Sequence, residues 1–233
     1  MFMGKMKAVT FSYDDGVTQD KRLIELFNKY GLKATFNLNS ELLGKEGELI
    51  REGKWVNHTK IDPRDVRGVY DGHEVAAHTL THPFLPEIES EDEIVRQVEC
   101  DRLNLSELVG YEVVGFAYPG GGKNYDSRVS EIIRRRTGVR YARHTISSHG
   151  FSLPDNPHEL SPSVYHHAEW DKLFELGEKF IAHNPDEPQL FYIWGHSYEF
   201  DIHGTWDRFE EFLKLISGKS DIFYGTNSQV LLK

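Results

Sequence analysis

Residues 7–38, KAVTFSYDDGVTQDKRLIELFNKYGLKATFNL, hold a strand, a helix and a second strand in one stretch. Lys7 to Ser12 is rich in β-branched and aromatic residues, and Lys33 to Leu38 repeats that character. Between them Leu23, Leu26, Phe27 and Tyr30 recur at helical spacing, with Thr18 placed to cap the helix and Gly31 to end it. Two strands joined through a helix pair in parallel by a right-handed crossover. Working outward, the alternation continues. His73 to His78 (HEVAAH) reads as a third strand, and Ser90 with Glu93 forms a capping box for a helix to about Gly110. Val113 to Tyr118 (VVGFAY) is the next strand, and Asp126 opens a helix with Val129, Ile132 and Ile133 inward, ending at Gly138. Val139 to Ala142 is a short strand, 168–182 a helix, and Gln189 to Trp194 a strand. A last helix runs from near Thr205 to before Gly218, followed by a strand at Ile222 to Tyr224 and an edge segment. The stretches 44–72 and 143–167 read as irregular. Six or seven β-α units with no low-complexity linker predict an α/β chain, one domain over 1–233, whose parallel sheet closes into a barrel.

Hydrophobic residues make up 39% of the 233 and aromatics 12%, enough for a core. A formal charge of −10 argues against a nucleic-acid or anionic-membrane partner, either of which calls for a basic face. The one basic cluster, Arg134-Arg135-Arg136, falls at a helix end, where cations complement the helix dipole. A single cysteine, Cys100, rules out an intrachain disulfide and reads as a buried core thiol within a helix. No run of about 18 apolar residues is present, so the expectation is a cytoplasmic enzyme.

In parallel α/β folds the functional groups gather where strands end. Those ends here are Asp14-Asp15, then Asn37 and Asn39, His78 and His82, Tyr118-Pro119-Gly120-Gly121, Arg143-His144 and Gly195-His196. Acids and imidazoles scattered in sequence thus converge on one rim. Neighbouring residues on a strand face opposite ways, so Asp14 and Asp15 share a site only if the strand stops there and the chain turns, which Gly16 permits. His78-Thr79-Leu80-Thr81-His82 spaces two imidazoles for one side of a helical turn. Two histidines and a carboxylate, with a position open to water, form a catalytic zinc set. Asp15, His78 and His82 are therefore the expected ligands, and Asp14 the base toward water acidified by the metal. Zinc is favoured by these donors, while cobalt, nickel and manganese also fit.

The segments TFSYDDG (10–16), HTLTH (78–82), FAYPGG (116–121) and WGH (194–196) resemble, in order, the motifs of the polysaccharide deacetylase family, the NodB-homology or carbohydrate esterase family 4 enzymes. The resemblance implies a distorted (β/α)7-type barrel that uses one divalent metal to hydrolyse N-acetyl, sometimes O-acetyl, groups on a sugar or oligosaccharide. By position, His196 resembles the general acid and the Gly120 backbone N–H the oxyanion donor, with Tyr118 beside it among the substrate-binding residues. Two departures stand out. Ala117 occupies the place of the family's base-orienting arginine, which Arg143 at the neighbouring strand end replaces or does not. The family's Asp-Trp pair has only a loose echo in Glu169-Trp170, and Glu199 or Asp201 is the alternative partner for His196.

His166, His167 and Tyr198 are candidates to line the pocket, and Trp194 to stack on a sugar. His149, His158 and His183 read as solvated, and Trp55 and Trp206 as core or loop anchors. The excursions 44–72 and 148–167 are long enough to wall the rim. Two other readings compete. One is a metal-independent, allantoinase-like amide hydrolase on the same barrel, which the intact Asp-His-His set opposes. The other is a lapsed carbohydrate-binding module, opposed by the presence of base, ligands and acid together.

Overall fold

In the computed structural model, which describes residues 2–232, the first strand outruns its apolar stretch: β1 covers Lys7–Asp14 and is buried throughout. Helix α1 (Asp20–Lys29) turns Leu23, Ile24 and Phe27 inward, and β2 (Ala34–Leu38) returns parallel to β1, with Phe11 opposite Ala34 and Asp14 opposite Asn37. Thr18 does not cap α1. The helix starts at Asp20 behind Gln19, with no side-chain cap, because Asp20 is itself drawn into the core by Tyr70 and Ser197.

The stretch 44–72 is not irregular. It holds an antiparallel hairpin, β3 (Glu48–Arg51) with β4 (Lys54–Asn57), and a short helix α2 (Val66–Val69). Then β5 (Glu74–Ala77) pairs with β2. Ser90 caps α3 (Glu91–Val95), which passes through a π-helical turn, Arg96–Cys100, into α4 (Asp101–Val109). Cys100 is exposed, not buried: the inward face is carried by Ile94, Val98, Asp101 and Leu105, and Cys100 falls on the other side. Next come β6 (Gly115–Ala117) and α5 (Ser127–Arg136), capped by Asp126. The three arginines ending α5 pair with Glu131, Asp92 and Glu91. After β7 (Tyr141–Arg143) the chain reaches β8 (Val164–Tyr165), α6 (Trp170–Ala182) and β9 (Gln189–Gly195). It closes with α7 (Glu199–His203), α8 (Trp206–Ile216), β10 (Ile222–Tyr224) and α9 (Asn227–Leu231), the last a helix where an edge segment was expected.

The strands form one curled parallel sheet in the order β7-β6-β5-β2-β1-β9-β8, with β10 also on β1. Along one edge of β1, Lys7 to Val9 pair with β10 and Phe11 to Asp14 with β2. The open side is bridged by the segment before β8: Leu160 N donates to the Ala142 carbonyl and the Leu160 carbonyl accepts from His144 N, and five residues on Tyr165 pairs with Trp194 of β9. The result is the distorted α/β barrel that the sequence suggests. Its strands are covered on both faces, as parallel strands require. Phe11, Tyr13, Phe27, Phe200 and Phe209 pack at the centre, with ring centroids 4.6–6.4 Å apart. None of the helices among the described residues is long and apolar enough to cross a membrane.

Candidate metal centre and catalytic rim

β1 stops at Asp14, and the chain turns at once, with Asp15 at φ 84° and Gly16 at φ 62°. A Cβ on Gly16 would meet Leu38 Cδ2 at 2.7 Å, so the turn needs glycine for space as well as for φ. The turn brings both carboxylates to one cleft. The His78–His82 segment is not a helical turn. Thr79 (φ 70°) and His82 (φ 62°) are left-handed, a strain of about 1–3 kcal/mol each that the surroundings must hold in place. Asn39 Nδ2 donates to the carbonyls of His78 and Thr79 at 2.5 and 2.9 Å. Asp101 accepts from His78 N at 2.9 Å, and Thr79 Oγ1 from His82 N at 3.0 Å.

His78 Nδ1 lies 2.7 Å from the Ala117 carbonyl, which fixes the proton on Nδ1 and leaves Nε2 as a lone-pair donor. Burial pushes His78 down to about 4, so it is neutral, as a ligand must be. Burial would raise the Asp15 carboxyl, but the Lys60 ammonium, a hydrogen bond from His58 and the imidazoles of His196 and His78 hold it well below the usual range. Lys60 Nζ also donates to the Asp15 carbonyl at 2.8 Å. One donor atom each from Asp15, His78 and His82 lies within 4.8 Å of the others, with His82 Nε2 3.9 Å from Asp15 Oδ1. Zinc bonds of about 2.0–2.1 Å space tetrahedral ligands about 3.3–3.4 Å apart. A neutral imidazole with an oriented lone pair, a second imidazole and an ionised carboxylate near that spacing fit a divalent metal.

Asp14 sits beside this set, 2% exposed. Arg143 Nη2 reaches both its oxygens at 2.5 and 2.6 Å, and Asn37 Nδ2 donates to Oδ1 at 2.7 Å. Burial alone would raise the Asp14 carboxyl; Arg143, with His78 and His196, outweighs that and keeps it below its ordinary value. Opposite, His196 Nδ1 lies 3.0 Å from Glu199 Oε1, and its Nε2 is turned toward Asp15, 4.0 Å from Oδ2. Burial would lower His196, but Glu199 raises it above its ordinary value. Burial works against the Glu199 charge too, and His196 brings that carboxyl down to about 2. Glu199 is fully buried and also meets Arg51 Nη1 at 3.0 Å and the Tyr165 hydroxyl. Glu199 is thus the partner of His196. Asp201 accepts from Trp206 Nε1 instead, and Glu169 holds Ser147, His149 and the Tyr165 amide.

A cleft of about 420 Å³ joins these groups, within the usual range for small-molecule sites. Gly120, Trp194 and Tyr198 line it as expected, with Arg51 from the hairpin, Tyr165 and Ile146. Both long excursions therefore do wall the rim. Four residues fall elsewhere, among them His167, which lines a separate hollow with Glu52 and His203. Arg143 is wholly buried beneath the cleft, stacked 4.6 Å from the Trp194 ring. Tyr118 is buried, its hydroxyl drawn away from the cleft onto the His158 carbonyl at 2.9 Å. His166 points into the core, stacked on Phe200 at 4.5 Å with Nδ1 3.3 Å from the Tyr13 hydroxyl. His158, expected in solvent, is 7% exposed and bonded to the Val139 carbonyl. Lys60, His58 and Arg51 escaped the sequence reading. The hairpin that carries Arg51 has a turn signal, Glu52-Gly53 between two alternating runs, whereas Lys60 has none.

Fold and site together define an α/β barrel with a two-histidine, one-carboxylate centre at the C-terminal rim of its strands. The chain belongs to the polysaccharide deacetylase family, whose model matches residues 3–142, more than half its length. No curated protein matches it significantly. Among solved structures it is similar to a family 4 carbohydrate esterase from Streptomyces lividans in complex with acetate, at 14% identity over 95% of this chain and 92% of that one, TM-score 0.58. It is also similar to BA3943, a CE4 family pseudoenzyme from Bacillus anthracis, at 19% identity over 97% and 66%, TM-score 0.58. The Streptococcus pyogenes deacetylase PplD in complex with acetate matches at 20% identity, TM-score 0.52; the match covers 64% of this chain and 61% of that one. At such identities the likeness shows the fold.

Proposed function

We propose that this protein is a metal-dependent hydrolase that removes an acetyl group, N-acetyl in the first place, from a sugar or short oligosaccharide. The observation that carries the reading is the Asp15–His78–His82 donor set with an ionised Asp14 on one side and a Glu199-backed His196 on the other. Bound by Asp15, His78 and His82, a divalent ion, zinc by preference, would supply Lewis acidity to water and to the acyl carbonyl. Asp14 is then the base that takes the proton from the attacking water. Arg143 keeps it ionised and fixes its orientation. His196, whose protonated form Glu199 favours, would give a proton from Nε2 to the departing nitrogen. Gly120 lines the cleft, and its backbone N–H is the donor that would steady the developing oxyanion. Trp194, 5% exposed and stacked on Tyr165 at 4.3 Å and on the Arg143 guanidinium at 4.6 Å, meets a sugar with its edge rather than a ring face.

The pseudoenzyme neighbour keeps a binding-only role in view, but a lapsed site loses its base, a ligand or its acid, and all five groups stand here. The test is acetate release from a panel of N- and O-acetylated mono- and oligosaccharides, with metal content by elemental analysis. Asp14→Asn should abolish release and keep about one metal per chain at this centre; His78→Ala should lose both. An active Asp14→Asn variant overturns the base assignment, and an inactive, metal-replete wild type favours the binding module.

A further inference from the structure

A second cluster lies outside the cleft and has no part in the chemistry above. Glu52, at the tip of the 48–57 hairpin, takes a left-handed φ of 53°. Its Oε1 is 3.0 Å from His167 Nε2 and its Oε2 2.9 Å from His203 Nε2. The two imidazole rings are 5.0 Å apart, and one donor atom from each of the three residues lies within 4.8 Å of the others. The His167 side chain is 7% exposed. The cluster opens into a hollow of its own, also lined by Thr205, whose buried Oγ1 has no hydrogen-bond partner.

We propose that Glu52, His167 and His203 form a second site for a divalent transition metal, separate from the Asp15–His78–His82 centre. The N–O spacings fall within a few tenths of an ångström of the about 3.3 Å that separates ligands on tetrahedral zinc. Two imidazoles and a carboxylate select zinc, nickel or copper over magnesium or calcium, which prefer oxygen cages. The three ligands come from three places: the hairpin tip, the chain just beyond β8 and the end of α7. A metal there clips the hairpin to the barrel. Glu52 directly follows Arg51, whose guanidinium donates to Tyr165 and Tyr198 in the cleft, so the clip sets the position of a cleft-wall residue. The proposal does not depend on the deacetylase reading, since it concerns binding alone.

The experiment is zinc titration by calorimetry with excess magnesium present, and elemental analysis, on the wild type, His78→Ala, His203→Ala and the double variant. Two equivalents in the wild type, one in each single variant and none in the double variant are expected. One equivalent in the wild type with none in His78→Ala overturns the site and leaves a hydrogen-bonded trio only. Two equivalents retained in His203→Ala overturn the ligand assignment. Glu52→Gln, on an exposed hairpin tip, repeats the test where folding is not at stake. Hydrogen exchange supplies the second readout. Zinc should slow exchange of the 48–57 amides in His78→Ala and leave it unchanged in the double variant; equal exchange with and without zinc in His78→Ala overturns the clip.

Discussion

Arg143→Met removes the guanidinium from beneath Asp14 while keeping much of its aliphatic volume. The pair is almost completely buried and its contacts are 2.5 and 2.6 Å, so no water replaces the lost charge. Removing one member of a buried ion pair costs about 3–5 kcal/mol, since the other charge stays behind unpaired. For a chain of this length each kcal/mol lowers Tm by about 2–4 °C, which gives a fall of about 6–20 °C. The pH dependence has a definite sign. Asp14, held below its ordinary value, contributes stability above its unfolded pKa, and that contribution disappears as pH falls through the folded value. The gap between wild type and variant is therefore widest at neutral pH and narrows in acid. In activity, burial acts unopposed by Arg143, and the acid limb of kcat/KM moves to higher pH. Calorimetric melts across the acid range and a pH profile of acetate release measure both; Arg143→Lys should recover part of each. A Met variant that melts within about 2 °C of wild type at pH 7, with its acid limb in place, would refute the assignment.

Glu199→Gln takes away the anion that raises His196, so the basic limb of kcat should shift to lower pH and kcat fall about 10–100-fold; an unmoved limb sinks that role. Gly195→Ala drives a Cβ into the His166 ring, which Phe200 and Tyr13 hold from moving, and should cost about 1–3 kcal/mol or more, read as a lowered Tm. Wild-type stability in that variant would show that His166 has room. Asp20 carries the opposite sign to Asp14. Burial raises it from 3.8 to about 7, so the folded chain holds a proton that the unfolded chain has released, and stability declines as pH rises across that window. Asp20→Asn should remove a decline on the order of 2–3 kcal/mol between about pH 5 and pH 8, measured by urea unfolding; equal slopes in both proteins contradict it.

How much of this was legible depended on whether the signal was local. The 7–38 stretch carries period and punctuation in the same residues, so two strands and a helix could be placed from it, with the wrong cap. The strand-end rule found Asp14, Asp15, His78, His82 and His196 because it needs only the end of each apolar run. It failed at Tyr118, where the end of a strand was right and the side chain's direction was wrong; His166 was picked as a pocket residue from a stretch read as irregular, and its direction was wrong too. Direction follows from packing partners far along the chain, Phe200 for His166 and His158 for Tyr118. The left-handed residues at Thr79 and His82 were invisible for the same reason, because Asn39 and Asp101 sustain them from other elements. Arg143 was visible as a spare cation at a neighbouring strand end. Its choice of Asp14 over a surface acid belongs to the curl of the sheet.

That curl gives the ion pair a role in assembly. Asp14 and Arg143 are separated by 129 residues, and β5, β2 and β6 lie between their strands in the sheet. While only the first strands have paired, the sheet has an anion facing its forming core and no cation to meet it. A partly built barrel is thus penalised at its centre, and the penalty lifts only when β7 swings round to complete the arc. Contacts so distant in sequence slow the search, but they also leave little to favour half-formed intermediates. The pairing of these two charges thus couples the first strand of the arc, β1, to its last, β7.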